Sequence, residues 1–415
     1  MHQVDFDLSL DEISKIEGAA ALDFSVKDGR VTKCRFKITE YKRFYTQAIK
    51  GKAAVAAPTL LARICGTCSN AHILAAIKAV ENALQIIPSP QTLTLRRLVN
   101  HGLIIRDHAL HLYLFVLPDL FNKDSLLDFD ESNQEQHQLL HDAFQVKDAG
   151  NQLSILTGGR SIHAPFPMVG GFIKFPNPAA AVKVINLLQA IRPAVERLIK
   201  VFTVWTKTQA QTIPYLAYMD GRIRSTDGLD IAETQYRSHL QKKQLDYSQA
   251  SAYTYKEGFY MTGALARLNL MPNPPAPFPS RNVYHNNLAQ AVEILQAIDG
   301  SIAILAKTKF APEPLVKPTV ISGEGIGVVE APRGILYHHL VIKNNVVTDA
   351  EILVPTGQNQ LNIENDIKIL VETHLQSEVD KIKLAHEIEV LVRAYDPCMS
   401  CAAHFLTINW HGQNF

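Results

Sequence analysis

Cysteine is scarce in this chain: there are five in 415 residues, too few for a disulfide scaffold. An excess of charge is absent as well. The 41 basic residues stand against 40 acidic ones, and a formal charge of +1 gives no general attraction to nucleic acid or to an anionic membrane. Neither is expected as a partner. No apolar run approaches the length of about 20 residues that spans a bilayer. The start, MHQVDFDLSL, has no basic segment followed by a hydrophobic one. Direct membrane insertion is therefore not expected, and a cytoplasmic location is, unless a partner carries an export signal.

What is present is a large apolar fraction, 47% of residues, enough for an extensive core in one large domain or two intimately packed ones. There is no internal repeat and no low-complexity tail, so residues 1–415 are taken as one unit. Residues 20 to 38 predict a β-hairpin, because Leu22, Phe24 and Val26 alternate with polar residues before the turn Lys27-Asp28-Gly29, and Phe36 and Ile38 alternate after it. A second strand pair is predicted over about 325 to 355, reversing at Asn344-Asn345. Elsewhere the periodicity is mostly helical: Ile73, Ala76, Ile77, Val80 and Leu84 share one face, as do Leu288, Val292, Leu295 and Ile298. The run PNPPAPFPS at 272 to 280 must be a connection, since proline removes donors and restricts its predecessors. The expected class is α+β, mainly helical, with small peripheral sheets.

Four of the five cysteines form two C-x-x-C pairs near opposite ends, Cys65 with Cys68 and Cys398 with Cys401. The fifth, Cys34 in VTKCRFKI, is expected to be a small buried residue of a strand. A C-x-x-C loop brings two sulfurs to one metal, and thiolates suit nickel, iron and zinc alike. Two pairs supply four ligands, so the two ends must meet in space. A closed zinc tetrahedron that staples the fold is one reading. Zinc-ribbon pairs, however, lie a few tens of residues apart, whereas most of this chain separates these two. A disulfide oxidoreductase is disfavoured, because one redox motif suffices and no thioredoxin-like βαβ pattern surrounds either pair.

The residues around the pairs narrow the choice. RICGTCSNAH at 63 to 72 and DPCMSCAAH at 396 to 404 resemble the two metal-binding signatures of nickel-iron hydrogenase large subunits. Further resemblances are KIEG at 15 to 18, RDHALH at 106 to 111, GGRSIHAPFPMVGGF at 158 to 172, EAPRG at 330 to 334 and VPTGQN at 354 to 359. The resemblance implies a helical large-subunit core and a nickel ion held by Cys65, Cys68, Cys398 and Cys401. Cys68 and Cys401 would be shared with an iron that carries carbon monoxide and cyanide. Dihydrogen would be split heterolytically there, and made by reversal of the same steps.

Other residues acquire roles through the same resemblance. Glu17 would carry protons away. Arg333 would stand over the open metal position with Asp107 and Asp396 as carboxylate partners, and Asp107 interrupts the apolar run GLIIRDHALHLYLFV, where an unpaired carboxylate is costly. His72 would donate to a ligating sulfur, and Thr356, with Pro332 and Pro355, would face the iron's ligands. The carbonyl of Ile352 and the side chain of His404 are candidates for a magnesium-like site, but Thr46 stands where many relatives have a glutamate. Lys15 replaces the usual arginine, VPTGQN lacks the usual tryptophan, and His163 is followed by alanine before the proline.

Electrons have no exit within the chain, since one spare cysteine cannot hold an iron-sulfur cluster. The resemblance therefore implies an iron-sulfur small subunit, and a diaphorase or other electron-transfer subunits beyond it. It also implies maturation proteins and an endopeptidase that removes residues 405–415. A regulatory dihydrogen sensor built on the same centre, and a zinc-stapled homologue without redox chemistry, are the alternatives.

Overall fold

The computed structural model describes residues 5–41, 43–375 and 380–403. About 48% of it is helix, with several small antiparallel sheets, in agreement with the α+β expectation. The predicted hairpin is present as Ala20–Lys27 and Arg30–Ile38. Its turn is made by Asp28 and Gly29, both at positive φ (51° and 68°), the conformation that a two-residue hairpin loop demands. Leu22, Phe24, Val26, Phe36 and Ile38 all point into the core. A further strand, Phe6–Leu10, pairs on the outer edge of Ala20–Lys27.

Four long helices form a bundle. Pro90–Ala109 packs against Gln134–Gly158 and His285–Lys307, and Pro178–Thr203 packs against the same two. Two glycines let the first pair approach closely. A Cβ on Gly102 would lie 2.5 Å from Ser154 Oγ, and one on Gly150 would lie 2.6 Å from the Arg106 amide nitrogen. By length and hydropathy His285–Lys307 could cross a membrane. Here it is a core helix: Leu288, Ile294 and Ile298 are buried, and its polar residues Gln290 and Glu293 turn toward the centre of the molecule.

The C-terminal sheet has three strands rather than the predicted pair: Gly323–Ala331, Gly334–Lys343 and Val346–Leu353. The reversal at Asn344-Asn345 is as predicted, but an additional one occurs at Pro332-Arg333, between the paired residues Ala331 and Gly334. Proline argues against a strand interior, yet at a turn it forfeits no ladder donor. Gly323, Gly325 and Gly327 alternate along one face and lie directly on the carbonyls of Ala83, Ala79 and Ala75 in helix Ser69–Ala83. Any side chain there would collide with that helix. On the opposite face Val328, Ile335, Tyr337 and Leu353 join a tyrosine-rich cluster with Tyr236, Tyr253 and Tyr260.

That cluster sits where helix was expected. The stretch between the two main sheets includes strands Leu216–Met219, Arg222–Ser225 and Asp230–Ala232, then a hairpin of Leu240–Gln244 with Ser251–Tyr255. Asp220-Gly221, both at positive φ (51° and 81°), turn the first two of these. The proline-rich segment 272–280 is irregular, as predicted. One buried apolar cluster extends from Ile13 to Ala403, so the N- and C-terminal parts share a core.

Candidate metal centre

Each C-x-x-C pair spans an extended residue and a helix start. Cys65 follows the short turn Ala62–Ile64 with extended backbone, and Cys68 caps helix Ser69–Ala83. Cys398 is extended and pairs with Glu17 through a parallel bridge, in which the Met399 amide donates to the Glu17 carbonyl at 2.8 Å. Cys401 lies in the single turn Met399–Ala402. The four sulfurs come within 4.8 Å of one another, and all four residues are buried. Cys68 and Cys401 are 2.9 Å apart, Cys398 and Cys401 3.0 Å, and Cys65 and Cys398 3.4 Å.

Four thiols so crowded cannot all ionise by themselves. Hydrogen bonds from Cys398, Cys401 and Cys68 hold Cys65 well below the usual thiol range, while burial pushes Cys398 and Cys401 well above it. A cation is what allows four thiolates to coexist, and the all-sulfur donor set suits a soft or borderline transition metal. The residues present therefore fit the nickel-iron group.

A small cavity opens on the side of Cys68, Cys398 and Cys401, bounded also by Arg333, Pro355 and Thr356. Arg333 forms the hairpin tip above it. Its Nη1 donates to Asp107 Oδ2 at 2.8 Å, and its Nη2 lies 2.9 Å from Asp396 Oδ1. Burial works against this charge, but Asp107 and Asp396 more than offset it and raise the guanidinium well above its ordinary range. Its Nε is buried without a hydrogen-bond partner among the described residues. Gln290 holds the other oxygen of Asp396 at 2.9 Å.

On the other side, Glu17 Oε2 accepts from the Cys398 thiol at 2.9 Å and from the Ser400 amide at 3.1 Å. Burial, reinforced by the charge on Cys65, raises its pKa above the usual carboxylate range. An ion-pair cluster fixes the segment that carries it: Lys15 meets Asp119 at 2.6 Å, Asp119 meets the fully buried Arg393 at 2.7 Å, and Arg393 donates to the Ser14 carbonyl. His72 Nε2 is 3.5 Å from Cys401 Sγ, and its Nδ1 is 3.0 Å from His338 Nε2. Burial lowers the His72 pKa to about 4, so the ring is neutral. Thr356 Oγ1 accepts from the Cys398 amide at 2.9 Å.

Cys65, Cys68, Cys398, Cys401, Glu17, Arg333, Asp107, Asp396, His72, Thr356 and Pro355 thus converge. Pro332 instead turns the hairpin, with its carbonyl accepting from Arg267. Ile352 is buried in its strand opposite His338, and the turn bearing the buried Thr46 packs on that strand. His404 and the segment 405–415 lie outside the described residues. Cys34 is only half-buried, its thiol 3.5 Å from the Glu364 carbonyl and pushed up to about 12 by burial. Sequence reasoning missed Arg106, which donates to the Thr67 carbonyl between the first two cysteines at 2.5 Å, and His338. An arginine inside an apolar helical run was a signal as strong as that of Asp107.

The sequence pattern of the nickel-dependent hydrogenases matches residues 43–146 and 280–404, more than half of the chain and both cysteine pairs. The chain belongs to this family, as a nickel-iron hydrogenase large subunit. The large subunit is 29% identical to sulfhydrogenase 1 subunit alpha of Pyrococcus furiosus, over 97% of this chain and 98% of the relative. It is 30% identical to sulfhydrogenase 2 subunit alpha of the same organism, over 97% and 100%. Among solved structures, it superimposes on a chain of an NAD+-reducing [NiFe]-hydrogenase in the H2-reduced state with a TM-score of 0.86, at 23% identity and over 96% and 99% of the two chains. This likeness shows the shared fold.

Proposed function

We propose that this hydrogenase large subunit oxidises dihydrogen reversibly to protons and electrons at a nickel-iron centre held by Cys65, Cys68, Cys398 and Cys401. The observation that carries the reading is the meeting of four buried thiols with a doubly paired arginine on one side and a carboxylate on the other. When bound, the centre, whose iron bears carbon monoxide and cyanide, supplies the redox and Lewis-acid chemistry for heterolytic cleavage of dihydrogen. Cys68 and Cys401, whose sulfurs lie 2.9 Å apart, are the proposed shared thiolates.

The chain's own residues then divide the remaining work. Glu17 receives a proton from the Cys398 sulfur across 2.9 Å, and its raised pKa suits it to hold that proton before passing it on. Arg333 keeps a fixed positive charge at the cavity, with Asp107 and Asp396 setting its orientation. His72, neutral, orients the Cys401 sulfur. Thr356 uses its oxygen to accept from Cys398, which leaves its hydroxyl proton for a cyanide nitrogen.

An iron-sulfur small subunit takes the electrons in this reading, because the one cysteine outside the centre, Cys34, is a protonated thiol. A diaphorase-type subunit beyond it, a cytoplasmic location, and maturation proteins with a C-terminal endopeptidase complete the proposal. A magnesium ion at Ile352 and His404 belongs to it too. The test is dihydrogen-dependent reduction of an artificial electron acceptor by the purified complex. Sustained turnover supports an enzyme, whereas a metal-loaded complex that turns over only a few times with every acceptor tried would make it a sensor.

A further inference from the structure

We infer that Arg267 is a positioning residue for the dihydrogen site, holding the hairpin tip that carries Arg333. The inference rests on the reading that Arg333 acts at the metal centre. Arg333 is the second residue of a two-residue turn between Ala331 and Gly334. A small backbone shift at such a tip would swing its guanidinium away from the cavity. The two carbonyls just before Arg333 are both held by Arg267: Nη1 donates to Ala331 at 3.0 Å and Nη2 to Pro332 at 2.9 Å.

The same guanidinium donates from Nη1 to Glu330 Oε2 at 2.6 Å, from Nε to Glu293 Oε1 at 2.5 Å and from Nη2 to Glu293 Oε2 at 2.7 Å. All five of its N–H groups therefore have an acceptor, a planar arrangement that the single ammonium of lysine cannot reproduce. Glu293 also meets His108 Nε2 at 2.9 Å. His108 is the chain neighbour of Asp107, which pairs with Arg333. Helix Pro90–Ala109 thus fixes both the counter-ion of Arg333 and, through His108 and Glu293, the arginine that fixes its backbone.

The short stretch before Arg267 closes the other side of the tip. The Ile335 amide donates to Thr262 Oγ1 at 3.0 Å, and a Cβ on Gly263 would lie 3.2 Å from the Arg333 carbonyl oxygen. Arg267 does not border the cavity; it acts only through the tip.

The test uses the complete, metal-loaded complex with R267K, R333K and the double variant. Nickel and iron content should stay near wild type in R267K while kcat for dihydrogen oxidation falls roughly 10- to 100-fold, the penalty of an ångström-scale misplacement. The double variant should be no slower than R333K alone, since both changes act through one group. A crystal structure of the R267K complex should show Arg333 displaced from Asp107 and Asp396. Effects that multiply in the double variant, wild-type turnover in R267K, or Arg333 undisplaced in that crystal structure would overturn the inference and leave the function standing. Wild-type turnover in R333K would remove the role of Arg333 at the metal centre, and the inference with it, while dihydrogen oxidation itself would stand. If R267K does not assemble, E330Q gives the same comparison by weakening one of the five acceptors: turnover slower than wild type, but not slower in the R333K background, supports the inference, and any other pattern overturns it.

Discussion

Replacing Glu17 by glutamine separates proton transfer from everything else the site does. Glu17 Oε2 receives two hydrogen bonds, from the Cys398 thiol at 2.9 Å and the Ser400 amide at 3.1 Å. The glutamine carbonyl oxygen can occupy that position and accept from Ser400, so the local backbone and the cysteine geometry should survive, at a cost to stability of about 1 kcal/mol or less. What is lost is the ability to take a proton, a role that contributes typically 10²–10⁴-fold to rate. Dihydrogen-dependent acceptor reduction by E17Q should fall by about that range, with nickel and iron content unchanged. Glu17→Asp draws the carboxylate back by one carbon–carbon bond, about 1.5 Å, and should recover part of the rate. Turnover of E17Q near wild type at full metal content would refute the assignment.

Serine in place of Cys65, Cys68, Cys398 or Cys401 should abolish both metal loading and activity, because hard hydroxyls replace soft thiolates; Cys34→Ser, measured by metal analysis and turnover, should do neither. Burial raises Glu364 from 4.5 to about 7, against the opposing hydrogen bonds from Tyr247 and the Phe36 amide, so the fold favours its protonated form. Its contribution is therefore favourable below the unfolded pKa and is lost as pH rises through about 7. E364Q should unfold at higher denaturant than wild type at pH 8, by up to about 3 kcal/mol, and the gap should close toward pH 5. Intact mass spectrometry of the active enzyme should give a subunit ending at His404, and a fully active chain that still ends at Phe415 would contradict processing.

Local chemistry made part of the fold legible. Asp28-Gly29 between alternating apolar residues announced its hairpin, and the proline run at 272–280 announced irregular chain. The same logic applied to Asp220-Gly221 would have found the strands at 216–225, which short length and interspersed arginines concealed. The alternation of Gly323, Gly325 and Gly327 with the four-residue spacing of Ala75, Ala79 and Ala83 marks a strand lying on a helix, but only their pairing in space makes that visible. At the site, the cysteine pairs were readable because their motifs are local, whereas the carboxylates around Arg333, on distant segments, were reached through the family resemblance, with only Asp107 marked by its place in an apolar run. The Arg267 network was not, since its acceptors come from residues 293, 330, 331 and 332, and no spacing along the chain links them.

The most direct test of the account is the metal content of the purified subunit in its complex, measured alongside dihydrogen oxidation. Nickel should be present, with iron exceeding that of the partner's iron-sulfur clusters by the same amount, and both the nickel and this additional iron should disappear in the Cys65→Ser variant. A zinc ion bound by the four cysteines of an otherwise intact protein, with neither nickel nor the additional iron, would contradict it.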